Sequence, residues 1–188
     1  MAEYMTLRVE IWPLTADSTG IWLIAGEDGP WQSEPVTVDS TPHKEVEALL
    51  AQHQVLEDVR LLHGTSTRSE GTSDIRTYVA VVECPDLAVG RWPQSIPITP
   101  ELPATIGKPF AAHPAKAPVP RYADVLLHAV RHLHFLLYAD SIARPVLDGI
   151  WAKHLAAFRP ALSGMYEHGD QPLELPSATM LKQILEQA

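Results

Sequence analysis

The first forty residues alternate hydrophobic and polar positions as a β-hairpin requires. Residues 7–11 place Leu, Val and Ile at every second position, which is the period of a half-buried strand. Residues 15–20 have the small and polar side chains of a turn, and residues 21–24 predict a second, more fully buried strand. Val36 and Val38 indicate a short third strand. The chain is therefore expected to begin with antiparallel strands.

A helix with a marked start follows these strands. Thr41 suits the N-cap, and Pro42 suits the first helical position, where a missing N–H group costs nothing. Val46, Leu49, Leu50 and His53 then recur at helical spacing, so one side of the helix is mostly apolar. We expect this side to pack on the sheet.

Strand patterns return after the helix. Residues 59–63 predict one strand and residues 75–83 its antiparallel partner, and residues 69–74 have the composition of a turn. Residues 78–82 are apolar on both faces, which favours the centre of the sheet. Residues 63–68 combine glycine with hydroxyl side chains and end in an arginine. They predict a loop, either an ordinary one or one whose backbone N–H groups cradle an anion.

Proline changes the pattern from residue 92 onwards. Residues 92–120 contain eight prolines, too many for any regular element, with apolar residues between them. A solvated linker would be more polar than this segment. We therefore expect an ordered wrap packed on the core.

The last third of the chain has helical spacing. Residues 122–139 lack Gly and Pro, and Pro145 starts a second predicted helix that runs until Pro160. Ser177 can cap a final amphipathic helix. Its apolar stripe predicts either burial on the same domain or homo-oligomerisation, and it consists of Met180, Leu181, Ile184 and Leu185.

These patterns together predict one α+β domain over residues 1–188. Residues 1–91 supply a mixed, mostly antiparallel sheet with a packed helix. Residues 92–120 form the wrap, and residues 121–188 form a helical section. A chain of 188 residues is long enough to bury a core of its own.

Composition excludes several classes of function. The formal net charge is −9, from 14 Lys and Arg against 23 Asp and Glu, and the basic residues are scattered. Phosphate backbones repel such a chain, so we expect no nucleic-acid partner. Apolar runs are too short to cross a bilayer, which argues against a membrane protein. Because Cys84 is the single cysteine, no internal disulfide can form, and a cytoplasmic location is expected.

The helix over residues 43–50 resembles the helical arm of the Nudix box. Lys44, Glu45 and Val46 fall on the Arg-Glu-apolar triplet of that box, with lysine in place of arginine. The resemblance implies a Nudix-like fold. Ala48 and Leu49, however, occupy the places of the paired glutamates, which hold divalent metal against a diphosphate in that family. Since Glu45 alone remains as a candidate catalytic carboxylate, the resemblance implies that the usual catalysis is lost.

Two tryptophans and one arginine are candidate ligand-binding residues. Trp31 and Trp92 lie beside turn residues, in Gly-Pro-Trp and Arg-Trp-Pro contexts. Such tryptophans either line a ligand pocket or interface or close the end of a core. Arg68 ends the predicted hydroxyl-rich loop and could contact the same ligand.

The long C-terminal helix carries candidate metal ligands. Asp124, His128 and His132 recur at every fourth residue, and two histidines one turn apart can bind one ion. The alternative is a solvated helix face on which Asp124 and His128 form a surface pair. His134 points towards the apolar side and predicts a core histidine hydrogen-bonded to a carbonyl group.

Two classes of function follow from these residues. The first is a non-catalytic binding or assembly module on a Nudix-like scaffold, without a cofactor, in which Trp31, Arg68 and Trp92 contact a ligand or protein partner. The second is a metal-dependent hydrolase of a nucleoside-diphosphate-type or other phosphorylated substrate. It would use Mg²⁺, Mn²⁺ or Zn²⁺ at a rearranged site.

Overall fold

The computed structural model describes residues 6–37, 41–83, 90–100 and 122–162, and these residues form an α+β structure. The chain divides into two compact units, residues 1–98 and residues 99–188. The first unit contains a sheet and one long helix, and the second contains helices. The prediction of one domain over the whole chain stays a prediction.

The long strand β1, Thr6–Ala16, organises the sheet of the first unit. It pairs antiparallel with β2, Ile21–Leu23, which confirms the predicted hairpin. Asp17 closes the turn between them, because its Oδ1 atom accepts hydrogen bonds from the backbone N–H groups of Thr19 and Gly20 at 2.8 and 3.1 Å.

Strand β1 has neighbours along both of its edges. β3, Trp31–Gln32, and β4, Val36–Thr37, also pair antiparallel with it, while the later strand β6, Ser73–Val82, pairs with it in parallel. Residues 9–15 of β1 are buried without interruption. The predicted alternation holds from Thr6 to Val9, but Glu10 is buried as well, because both faces of the strand are covered from Val9 onwards.

The first long helix, α1, Pro42–Gln52, begins at the predicted residue. Thr41 precedes it in an extended conformation, although its side chain makes no capping hydrogen bond. Val46, Leu49 and Leu50 are buried, and α1 contacts β1. The predicted packing of this helix on the sheet is confirmed.

Strand β5, Val59–Glu70, forms a long antiparallel hairpin with β6. The predicted loop at residues 63–68 is wrong, because this segment lies inside β5 and pairs with β6. Its threonines favour strand conformation, and a register shift between Gly64 and Ser66 accommodates the irregular stretch within the ladder. Hydroxyl-rich composition here marks a strand rather than a loop.

A short strand, β7, Ile96–Ile98, pairs antiparallel with β2 and brings the described sheet to seven strands. The order is β5-β6-β1-β2-β7, with β3 and β4 beside β1, so the sheet is mixed and mostly antiparallel, as predicted. Residues 92–120 were expected to contain no regular secondary structure, and β7 shows that this expectation is wrong. The sheet likewise extends beyond residue 91, where it was expected to end. Pro97 fits in β7 because an edge strand needs backbone N–H groups on one side only.

The second unit is built on α2, Tyr122–Ala139, which matches the predicted helix. Two short helices, α3, Arg144–Leu147, and α4, Ile150–Leu155, contact α2. The single helix predicted after Pro145 is therefore wrong. The chain breaks at Gly149, whose φ of 63° lies outside the right-handed helical region.

Several predicted features lie outside the described residues. They are Val38 of the third strand, residues 101–120 of the wrap, and the final helix with its stripe at Met180, Leu181, Ile184 and Leu185. Within the described ranges, no helix is long and apolar enough to cross a membrane.

Candidate functional site

Trp31 and Trp92, predicted as ligand-binding residues, lie together in the first unit. Their ring centroids are 5.9 Å apart, with 44° between the ring planes. His53, at the end of α1, stacks on Trp31 with a centroid separation of 3.9 Å and an angle of 4°. Three segments thus bring their rings to one place. We call Trp31, His53 and Trp92 the tryptophan cluster.

Arg91 contacts both Trp92 and the segment that follows α1. Its guanidinium carbon lies 5.5 Å from the centroid of the Trp92 ring, which is a cation–π geometry. Its Nη2 donates to the carbonyl oxygen of Gln54 at 2.8 Å, and its Nη1 donates to Oδ2 of Asp58 at 2.9 Å. Gln54 has a φ of 57°, which turns the chain sharply after α1. The arginine thereby joins two segments that are distant in sequence.

A tight turn holds the other side of Trp92. The backbone N–H and the hydroxyl of Ser95 both donate to the carbonyl oxygen of Trp92, at 3.0 and 2.8 Å. Gln94 in this turn packs on Gly26, where a Cβ atom would lie 2.7 Å from the Gln94 carbonyl oxygen. Because Gly26 also has a φ of 79°, only glycine fits here without strain.

The cluster combines a buried ring with two accessible ones. Trp31 is 8% exposed, whereas His53 and Trp92 are half-buried. Burial lowers the pKa of His53, so this ring is neutral at pH 7. The Nε1 atom of Trp92 is enclosed and has no hydrogen-bond partner among the described residues. The cluster therefore offers flat aromatic surface and an N–H donor that still lacks an acceptor.

Arg68, the third predicted ligand-binding residue, lies on the opposite face of the sheet. Ile11 of β1 pairs with Trp31, and the next residue, Glu10, pairs with Gln32. Neighbouring residues of a strand point to opposite faces, so the faces of Trp31 and Glu10 differ. Because Arg68 contacts Glu10, the sheet separates it from the tryptophan cluster.

Glu10 and Arg68 form a buried ion pair. The Nη2 and Nη1 atoms of Arg68 donate to Oε1 and Oε2 of Glu10 at 2.5 and 2.7 Å, and Glu10 is 1% exposed. Gln32 and Thr77 donate to the same carboxylate at 3.0 and 3.4 Å, and Arg68 Nε donates to Glu70 at 2.7 Å. Burial disfavours the charged guanidinium, but hydrogen bonds and charges of Glu10 and Glu70 outweigh it and raise the pKa of Arg68.

Glu45, the remaining carboxylate of the Nudix-like helix, lies in the first turn of α1 and is half-buried. Of the two positions that carry paired glutamates in that family, Ala48 is exposed and Leu49 is in the core with 4% exposure. A carboxylate at position 49 would face apolar side chains. At the positions that the Nudix resemblance marks, the helix therefore presents one carboxylate where metal-dependent catalysis uses several.

Asp124, His128 and His132 follow one another by single turns of α2. Asp124 and His132 are 7% and 3% exposed and His128 is half-buried, so the solvated face expected as an alternative is not observed. The rings of His128 and His132 have centroids 6.5 Å apart. Two imidazoles on one tetrahedral Zn²⁺, with bonds of about 2.0 Å, place their centroids roughly 5 Å apart. A shared ion thus requires the rings to rotate.

Hydrogen bonding orients one of these rings. Nδ1 of His132 lies 3.1 Å from the carbonyl oxygen of Ala161. Because a carbonyl oxygen accepts hydrogen bonds, Nδ1 carries the proton and the lone pair is on Nε2. Many metal-binding histidines have this arrangement. Nevertheless, within the part of the chain that the structure describes, no group of three His, Cys, Asp or Glu side chains could hold a metal ion. The metal site stays a prediction.

His134 is the core histidine that the sequence predicts. It is 7% exposed, and its Nδ1 is hydrogen-bonded to the carbonyl oxygen of Phe158. Burial lowers its pKa, against the opposing effect of this hydrogen bond. The ring is therefore neutral at pH 7 and holds the segment after α4 to α2.

Glu10 is a site residue that the sequence does not predict. It occupies an alternating strand position that indicates exposure, and no local signal shows that its face is covered. His53 follows Leu49 by one helical turn, and this spacing predicts its place on the packed side of α1 but not its stacking on Trp31.

No protein-family model and no curated protein matches this chain. The resemblance to the Nudix box therefore stays a prediction. The observations that bear on function are the tryptophan cluster on one face of the sheet and the buried charges on the other.

Proposed function

We propose that the chain is a non-catalytic binding or assembly module on a Nudix-like scaffold that has lost its metal-binding glutamates. Its contact surface is Trp92, flanked by Arg91 and His53. The partner is a protein segment or ligand in the cytoplasm that presents an apolar or planar group and a carbonyl oxygen. An acidic chain of net charge −9 does not favour nucleic acid or an anionic membrane surface.

The observation that carries this proposal is the fixed position of Trp92. Trp31 stands 5.9 Å from its ring on one side, and Arg91 ties it to the end of α1. A side chain that is already held in place loses little conformational entropy on binding. Tryptophan and arginine are also the residues that contribute most to measured binding energies.

The unpaired donor of Trp92 supports the same proposal. An enclosed N–H group without an acceptor costs about 1–3 kcal/mol, and Nε1 of Trp92 is such a group among the described residues. A partner's carbonyl oxygen that reaches Nε1 would remove this cost. Peptides in extended or polyproline conformation present carbonyl groups of this kind.

The residues of α1 support the proposed loss of metal-dependent catalysis. Leu49, at the place of a metal-binding glutamate, contributes to the core, and Glu45 alone has a carboxylate at a position that the Nudix resemblance marks. Charge neutralisation of a diphosphate needs more than one such group.

The test is selection of peptides from a displayed random library on the full-length protein. Peptides enriched on the wild type should bind Trp92→Ala at least about tenfold more weakly, a loss of about 1.4 kcal/mol. Trp22→Ala is the matched control, since Trp22 is a half-buried tryptophan of β2 outside the cluster. Peptides that bind Trp92→Ala as tightly as the wild type would contradict the proposed surface, provided that both variants keep their circular dichroism spectra.

A metal-dependent hydrolase of a phosphorylated substrate is the second candidate. The burial of Asp124 and His132 on one stretch of α2 favours it, because buried polar groups in line on a helix are uncommon without a role. Mg²⁺, Mn²⁺ or Zn²⁺ should then raise the thermal midpoint of chelator-treated protein, and His128→Ala should abolish the rise.

A further inference from the structure

One face of the sheet carries a set of polar side chains arranged in rows across β5, β6 and β1. Residues opposite each other on paired strands share a face. The registers give the rows Glu70–Ser73–Thr6, Arg68–Ile75–Arg8 and Ser66–Thr77–Glu10. Exposure changes along the face: Glu10, Thr77 and Ile75 are each 1% exposed, whereas the first row is half-buried. We call these nine residues, of which all but Ile75 are polar, the polar array.

Arg68 engages both carboxylates of the array. It binds Glu10 with two parallel hydrogen bonds and Glu70 with a third. Thr77 and Gln32 supply further donors to Glu10. The strongest acceptors on this face are therefore already taken by Arg68 and its neighbours.

Arg8, on the other side of Ile75, forms no ion pair with another described residue. Its Nε atom is buried and has no hydrogen-bond partner among the residues that the structure describes. This half-buried guanidinium is therefore partly desolvated, with no carboxylate bound to it directly in the described part of the chain.

The hydroxyl groups beside Arg8 add a second donor. Oγ1 of Thr6 and Oγ of Ser73 lie 2.8 Å apart, and one of them donates to the other. Each hydroxyl carries one hydrogen, so the accepting partner keeps its own O–H for another acceptor. Thr6 and Arg8 are two residues apart on β1 and point to the same face, about 7 Å from each other along the strand.

We propose that Arg8, with the Thr6–Ser73 hydroxyl pair, binds the carboxylate of a small molecule. The site has donors in excess, and a carboxylate supplies two acceptor oxygens in the plane that a guanidinium matches. The positive charges of Arg8 and Arg68 balance the negative charges of Glu10 and Glu70. A bound monoanion therefore leaves the array with a net charge of one, whereas a dianion such as phosphate leaves two and is repelled more strongly by the two carboxylates.

The test uses the Nε–H resonances of arginine in ¹⁵N-labelled full-length protein, with acetate as the probe. The signal that disappears in Arg8→Met identifies Arg8. We expect a saturable shift of this signal with sodium acetate, none with sodium chloride at the same ionic strength, and a weaker response to phosphate. Arg76 lies on β6 but points to the other face and is exposed, so its signal serves as the internal control.

Three results would overturn the proposal. The Arg8 signal could fail to shift with acetate, Arg8 and Arg76 could shift alike, or phosphate could bind more tightly than acetate. Thr6→Val provides a second variant that leaves the arginine in place. It should weaken acetate binding while Arg8 remains visible, and unchanged affinity would remove the hydroxyl pair from the site.

Discussion

Burying a charged side chain is costly unless the protein supplies its counter-charge, and Arg68 shows how this sheet does so. Its fork-shaped guanidinium matches the Glu10 carboxylate with two hydrogen bonds, while Gln32 and Thr77 donate to the same group. The pair links β1 to β5 across β6. Its geometry depends on the register of all three strands, since a slip by one residue would move each side chain to the other face.

Arg68→Met should destabilise the protein by about 3–5 kcal/mol, because the carboxylate of Glu10 would stay buried without its partner. The double variant Glu10→Gln with Arg68→Met should recover part of this loss. Urea unfolding followed by circular dichroism measures both values. Arg76→Met, at an exposed position of the same sheet, should change the free energy of unfolding by less than about 0.5 kcal/mol. Equal losses for Arg68→Met and the double variant would argue against a coupled pair.

The sequence indicates single residues unevenly. Trp31 and Trp92 stand out in the sequence because a tryptophan beside a turn either closes a core or lines a binding surface. The structure brings the two rings together. Arg68 also stands out, but the sequence predicts it at the end of a loop, whereas it lies within β5. Its partner, Glu10, lies far from it in sequence, and no local pattern connects two residues on separate strands.

At the scale of elements, the turn after Trp92 shows how one glycine fixes a functional side chain. Gly26 has a positive φ and lies under the carbonyl group of Gln94. Strand β7 follows this turn directly and pairs with β2. The position of Trp92 is therefore set by a backbone contact and by the sheet together.

Gly26→Ala should cost about 1–3 kcal/mol, because alanine disfavours the positive φ and its Cβ meets backbone rather than a movable side chain. The near-ultraviolet circular dichroism of the tryptophans should change as well. Gly20→Ala is the control, since no atom lies within 4 Å of its added Cβ. If both variants unfold at the same urea concentration, the contact with Gln94 does not constrain the turn.

Elements with strong local signals are the ones that the sequence predicts. Helix α1 has Pro42 at its start and a regular apolar side, and helix α2 lacks both Gly and Pro. Strand β7 was missed because three residues around Pro97 acquire strand structure only through their pairing with β2. Gly149 likewise divides a helical pattern through its backbone conformation, which spacing alone does not reveal.

At the scale of the whole molecule, each compact unit contains a histidine that burial keeps neutral. His53 belongs to the first unit and His134 to the second, and the pKa of each lies below the ordinary value of 6.5. The unfolded chain therefore binds more protons than the folded chain as the pH falls below 6.5. The stability that these groups contribute is complete above that value and is lost below it.

The free energy of unfolding should accordingly decrease between about pH 7.5 and 5.5. His53→Phe keeps a ring against Trp31, and His134→Asn keeps an N–H donor towards Phe158. The variant that carries both substitutions should lose less stability over this range than the wild type. Identical pH profiles for the two proteins would show that other groups determine the acid response.

The parallel pairing of β1 with β6 has a consequence for how the chain acquires this structure. Thr6 and Ser73 are 67 residues apart in sequence, and they are neighbours in the sheet. Contacts of such high sequence separation form slowly, because the loop between them must close first. During synthesis the β1–β2 hairpin leaves the ribosome early, and the edge of β1 that pairs with β6 stays unpaired until residues 73–82 have been made. This interval is when a chaperone would be most needed.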